Sequence, residues 1–188
     1  MRLRFHRAII NAMESRQVKY PLGSLSNINP TTFGEPGQRT FNLVLEAGEA
    51  RCTVWLEKEQ LFQLGIYLQE VVQSLSEADQ ERRSEPSEAE WTGEGISLDF
   101  KAGQILLNHE PDSNSFRMLA YEQEEAESDE EAASVSFWIT IEQAETVAEE
   151  ALRICAAGRP RCFLCGLPIN PDGHNCPRAN GHAVLEAG

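Results

Sequence analysis

No stretch of this 188-residue chain approaches the roughly eighteen consecutive apolar residues of a membrane-spanning helix, and its opening residues lack the apolar centre of a secretory leader. Positive charge is scarce. Sixteen Lys and Arg face thirty Asp and Glu, a net charge of −14 that disfavours general binding to nucleic acid, whose phosphates would be repelled. Cysteine is sparse and odd in number, five in all, which argues against a disulfide framework and points to a reducing cytoplasm. Missing too are a Gly-Lys-Ser/Thr phosphate loop and any recognisable Ser/His/Asp order, so two common routes to catalysis are closed at the outset.

The charge that is present is unevenly placed. Arg2, Arg4, Arg7, Arg16 and Lys19 make the start basic, Arg153, Arg159, Arg161 and Arg178 do the same for the tail, and the middle is acidic. The arginine-rich opening reads as a poorly ordered N-terminal extension over 1–29, with Met13 an alternative start. The acidic run beginning at Glu122 cannot pack and is expected to stay solvated and mobile over 122–132. Residues 76–93, rich in Glu, Ser and Arg, read the same way.

Chemistry is written most directly near the C-terminus. Cys162-Phe-Leu-Cys165 and His174-Asn-Cys176 are two short pairs joined by Pro, Asn, Asp and Gly, residues that turn a chain around an ion. Zinc takes thiolate and imidazole in a tetrahedron, and four protein ligands leave no open position for substrate. The predicted site is therefore a structural Cys3His zinc centre of Cys162, Cys165, His174 and Cys176, in a tail over 158–188 of zinc-ribbon or knuckle type. His182 and Cys155 are alternative fourth ligands, although Cys155 falls on the apolar face of a helix, where a free cysteine is more often core. A redox Cys-x-x-Cys normally opens a helix, and none follows here.

The rest of the chain reads as a repeat. Val54-Trp-Leu-Glu-Lys-Glu-Gln60 is answered by Phe137-Trp-Ile-Thr-Ile-Glu-Gln143, and the apolar positions beyond each keep helical spacing. Phe41-Asn-Leu-Val-Leu45 is matched in turn by Phe116-Arg-Met-Leu-Ala120. Each copy predicts strand, turn, strand, helix, the first turn at Ala47-Gly-Glu49. Ile96–Phe100 and Gln104–Leu107 add short strands around a turn at Ala102-Gly103. The expected fold is α+β, with duplicated strand-strand-helix units over 30–157 forming one sheet with two helices on one face, related by a pseudo-two-fold axis.

The loop Gly34-Glu-Pro-Gly-Gln-Arg-Thr-Phe41, the run Leu56-Glu-Lys-Glu-Gln60, and the tail segments Ala157-Gly-Arg-Pro-Arg-Cys-Phe-Leu-Cys-Gly-Leu-Pro and Cys176-Pro-Arg-Ala-Asn-Gly181 resemble the bacterial family known as domain of unknown function 3090. The likeness covers about residues 30 to 182. It implies a bacterial, cytoplasmic protein with the zinc-type tail and supplies no reaction. It also implies a partner role beside a kinase-like or phosphatase-like protein.

Outside the zinc pairs, Glu35, Gln38 and Arg39 sit in a glycine-bearing loop, and Arg178 and Asn180 follow the last cysteine. Arginine can grip a carboxylate or phosphate in bidentate fashion, so the two segments are expected to meet in one ligand or partner site. Taken alone, the loop is a tight turn. Glu59 and Glu142 recur at helix starts, where a carboxylate favours the dipole, and His109 reads as a lone turn residue. The sequence thus favours a non-enzymatic adaptor that binds a protein partner, over an enzyme or sensor for an anionic small molecule and over a nucleic-acid binder.

Overall fold

The computed structural model describes residues 18–35, 37–123, 132–158, 162–167, 169, 173–178 and 184–185. It is α+β, a mixed seven-stranded sheet with helices. In chain order the elements are β1 (Tyr20–Ser24), β2 (Asn27–Phe33), β3 (Thr40–Ala47), β4 (Ala50–Leu56), α1 (Lys58–Ser74), α2 (Glu77–Glu81), β5 (Ser97–Glu110), β6 (Ser115–Glu122), β7 (Ser134–Thr140), α3 (Ile141–Ala156), β8 (His174–Asn175) and β9 (Val184–Leu185).

The strand order is β1-β7-β6-β5-β4-β3-β2. Its two outer strands are consecutive in sequence, separated only by Leu25 and Ser26, so the sheet must curl until its edges meet there. The main-chain N–H of Leu25 donates to Trp138 O on β7, and that of Ser26 to Glu46 O on β3. One core fills the curl. Phe41, Leu43 and Leu45 of β3, Cys52 and Val54 of β4, Phe116 and Met118 of β6, and Phe137 and Ile139 of β7 all bury side chains against Leu61, Leu64 and Leu68 of α1 and Val147, Ala151 and Ile154 of α3. The period-2 alternation of the strands and the 3.6 period of the helices make this one continuous apolar volume.

Both halves of the sheet use the same pairings. Gly23 faces Phe137 as Phe100 faces Val54, the two parallel ladders among the described residues. Ile28 faces Leu45 as Ile105 faces Ala120, and Leu43 faces Val54 as Met118 faces Phe137. The helix starts agree as well. Gln60 Oε1 accepts from the N–H of Glu57 and its Nε2 donates to Ala102 O; Gln143 Oε1 accepts from the N–H of Thr140 and its Nε2 donates to Leu25 O.

Several expectations need correction. The extension assigned to 1–29 ends earlier than predicted, because 20–24 and 27–29 lie within strands. Pro21 and Pro30 disguised them, and both are tolerated because among the described residues β1 and β2 each pair with a strand on one side, leaving a place for a residue without an N–H. The turn expected at Ala102-Gly103 is a register shift inside one long strand, β5. His109 lies in that strand, its ring packed on Phe116 with centroids 5.1 Å apart, and burial pulls its pKa down.

Residues 76–93, expected to be mobile, carry α2 and then cross the molecule as a strap. Ser84 Oγ accepts from the N–H of Ile141, Glu88 O accepts from Ser24, and Glu90 Oε1 accepts from Gly48. The acidic residues 124–131 lie outside the described part.

Candidate metal centre

The metal-type residues are gathered by a tight turn and a short ladder. Cys162 O accepts from the N–H of Gly166, and the Cys162 N–H donates to Leu167 O, so the chain reverses around the first pair. Gly166 has φ +76°, a conformation that costs most other residues about 1 kcal/mol. His174 and Asn175 then pair with Leu185 and Val184. This places the second pair opposite the first.

The four donor atoms lie within 4.8 Å of one another. Cys162 Sγ is 3.6 Å from Cys176 Sγ, and Cys165 Sγ is 3.1 Å from His174 Nε2. A tetrahedral ion with metal–sulfur bonds of about 2.3 Å would set its sulfurs roughly 3.8 Å apart, so the cluster has the dimensions of a single-ion site. The donor set fits a metal. Cys162 and Cys176 are buried, and Cys165 and His174 half-buried. Burial opposes ionisation of Cys162, but N–H groups of Cys165 and Leu164 and the Cys176 thiol outweigh it and draw the pKa down to about 6. Burial pushes Cys165 the other way. A preformed thiolate is what a metal ligand requires.

Of the alternative ligands, Cys155 is buried in the main core with its Sγ toward Lys58 O, 3.8 Å away, and takes no part in the cluster. His182 lies outside the described residues. Cys52 is likewise a core thiol, its pKa pushed up to about 12 by burial and by Asp99.

Each of the two arginines is engaged by a main-chain carbonyl. Arg39 donates from Nη1 to Ala157 O at the C-terminal end of α3, a carbonyl left without a helical partner. Arg178 donates from Nη1 to Leu164 O, 3.1 Å away, and so braces the turn between the first two cysteines. No hydrogen bond or ion pair links these two groups among the described residues. Glu35 O accepts from the Gln38 N–H in a turn of the β2–β3 connection, with both side chains exposed. Asn180 falls outside the described residues. Glu59 accepts from Gln63 Nε2 on the surface of α1, and Glu142 is exposed in the first turn of α3.

Sequence reading missed the apolar tip of the same turn. Phe163 is 83% exposed, Leu167 50% and Leu164 37%. The signal was present in Cys-Phe-Leu-Cys, since two large apolar residues between ligands on a short turn cannot both reach a core.

No helix among the described residues is long and apolar enough to cross a membrane. Neither the curated proteins nor the solved structures yielded a match to the chain. The profile of one family does match it, over residues 20–176, from β1 to the last cysteine of the cluster. On that match the chain belongs to the family described as "Protein of unknown function (DUF3090)".

Proposed function

We propose that this is a non-enzymatic, zinc-stabilised protein-binding module of the bacterial cytoplasm, in which a structural zinc ribbon or knuckle presents an apolar tip to a protein partner. The carrying observation is the exposure of Phe163, Leu164 and Leu167 on the very turn that holds Cys162 and Cys165. Large side chains are exposed on a rigid support at a cost in solvation that a partner's pocket would recover, and aromatic residues so placed dominate interface energetics. Zinc is favoured over other ions by the mixture of thiolates and imidazole and by four protein donors, which complete a tetrahedron. When bound, the ion supplies folding free energy for the tail, and no reaction is assigned to it. The partner class carried by the family resemblance is a kinase-like or phosphatase-like protein.

The architecture is proposed to descend from duplication of a strand-strand-helix unit. Support comes from the shared registers and from two equivalent glutamines, Gln60 and Gln143, each completing its own helix start and then reaching the carbonyl where its strand changes partners. Because corresponding strands run in the same direction around the curled sheet, the pseudo-two-fold axis would lie along the axis of the curl.

The test is calorimetric titration of the purified protein against purified kinase-like and phosphatase-like proteins, with metal analysis alongside. A Phe163→Ser/Leu167→Ser variant should keep one equivalent of zinc and bind at least tenfold more weakly, as loss of an interface anchor of about 2 kcal/mol implies. Unchanged affinity in that variant, or turnover of a phosphorylated small molecule without any partner, would overturn the reading.

A further inference from the structure

Strand β5 outlasts its neighbour. Among the described residues, β4 pairs with it from Arg51–Ser97 to Trp55–Lys101, and from Ala102 to Glu110 β6 is its one strand partner. Beyond Leu56 the chain becomes α1, tied to the strand where Gln60 donates to Ala102 O. Between the helix and the unpaired edge lies a cavity of about 520 Å³, bordered by Glu59, Gln63, Leu64 and Tyr67 and by the whole run Gly103 to Leu107. Side chains alternate between the faces of a sheet, so an unbroken run of residues can border only a space at the strand's edge.

The other half of the molecule shows what an occupied edge looks like. There α3 packs against β2, and Ile28 and Pro30 are buried. Ile105 and Leu107 take the same register positions against β6 that Ile28 and Pro30 take against β3, yet they remain half-exposed. The groove is thus an apolar, strand-edged gap where its counterpart is closed.

We infer that this groove receives an extended segment of a partner protein, added as a strand to the open edge of β5, with apolar side chains at alternate positions and a basic residue near Glu59. A free edge offers main-chain donors and acceptors to any extended chain, and the lining selects among them. Leu64, Tyr67, Ile105 and Leu107 supply apolar seats for alternate side chains. Among the described residues Glu59 is the one charged residue of the lining, so a positive charge is matched and a carboxylate or phosphate repelled. Tyr67, its phenol pKa raised by burial, remains a neutral donor at the rim. The site is separate from the metal centre and does not rest on the adaptor reading.

A displayed octapeptide library panned against the full chain tests it. The enriched peptides should alternate apolar residues and carry Lys or Arg. The strongest, resynthesised and labelled, should lose about tenfold in affinity when alternate amides are N-methylated, as loss of one or two net hydrogen bonds implies. Gln63→Trp, which fills the groove from an exposed helix position, should weaken the same peptide at least as much, and Glu59→Lys should shift selection toward acidic peptides. Cys165→Ser protein should bind it undiminished. No enrichment, equal binding by Gln63→Trp protein, or indifference to N-methylation would each overturn the proposal, the last leaving a pocket for side chains or small molecules only. If Gln63→Trp unfolds, as circular dichroism would reveal, the Glu59→Lys charge reversal and the N-methylated peptide still decide the matter.

Discussion

Arg39 and Cys162 show at the scale of single residues what a sequence can and cannot announce. The partners of Cys162 lie within a short local span, so their spacing alone fixes that they can meet. Arg39 finds its partner, Ala157 O, 118 positions away, and nothing in the glycine loop foretells it. Replacing Cys165 with Ser removes a half-buried sulfur donor from a set of four. Metal content measured by mass spectrometry should fall from one equivalent to a small fraction, and retention of a full equivalent would show that the four residues are not the ligand set. His109 offers a pH test. Its folded pKa lies below the ordinary value, chiefly through burial, so below about pH 6.5 the unfolded chain binds the extra proton more readily and stability is lost as pH falls. His109→Gln protein should accordingly show a flatter dependence of melting temperature on pH between 7 and 5. Parallel curves for the two proteins would remove His109 as the cause.

Among elements, legibility followed periodicity. β3, β4, β6, β7 and both long helices were readable because their apolar residues are dense or recur at strand or helix spacing. β1 and β2 were not, since Pro21, Gly23 and Pro30 speak locally of turns while the sheet uses them on strands paired on one side. The strap over 82–96 was misleading for the opposite reason: its composition is that of a solvated segment, yet its polar groups are held by main-chain N–H groups far away in sequence, Ile141, Ser24 and Gly48, which composition does not encode. Gly48 makes the strap's closeness testable. It sits at φ +54°, and a Cβ there would come within 2.3 Å of the main-chain oxygen of Trp91. Gly48→Ala should therefore cost about 2 kcal/mol in denaturant unfolding, combining backbone strain with displacement of the strap. A Glu-specific protease should cut the variant at Glu88 or Glu90 sooner than wild type. Equal cleavage rates would mean that the strap is already loose.

For the molecule as a whole, a metal-site cluster separate from the main core implies two thermal events. The curled sheet and its long helices share one apolar volume, whereas Cys162, Cys165, Ile169 and Cys176 form a cluster of their own. A small unit of that size buries too little apolar surface to offset the entropy of ordering it, so its fold should depend on the ion. The main core, with its strands paired around the curl, should not. Scanning calorimetry of the metal-loaded protein, with and without a chelator in excess, separates these cases. Chelation should abolish a low-enthalpy component, expose Cys162 and Cys176 to thiol reagents, and leave the principal transition within about 2 °C, the shift expected for a change well under 1 kcal/mol in a domain of this size. A principal transition that falls by ten degrees or more would mean that the tail is an integral buttress of the sheet. Arg39, joined to the end of α3 at Ala157, would then be the first contact to examine, and Arg39→Ala should reproduce the destabilisation without loss of metal.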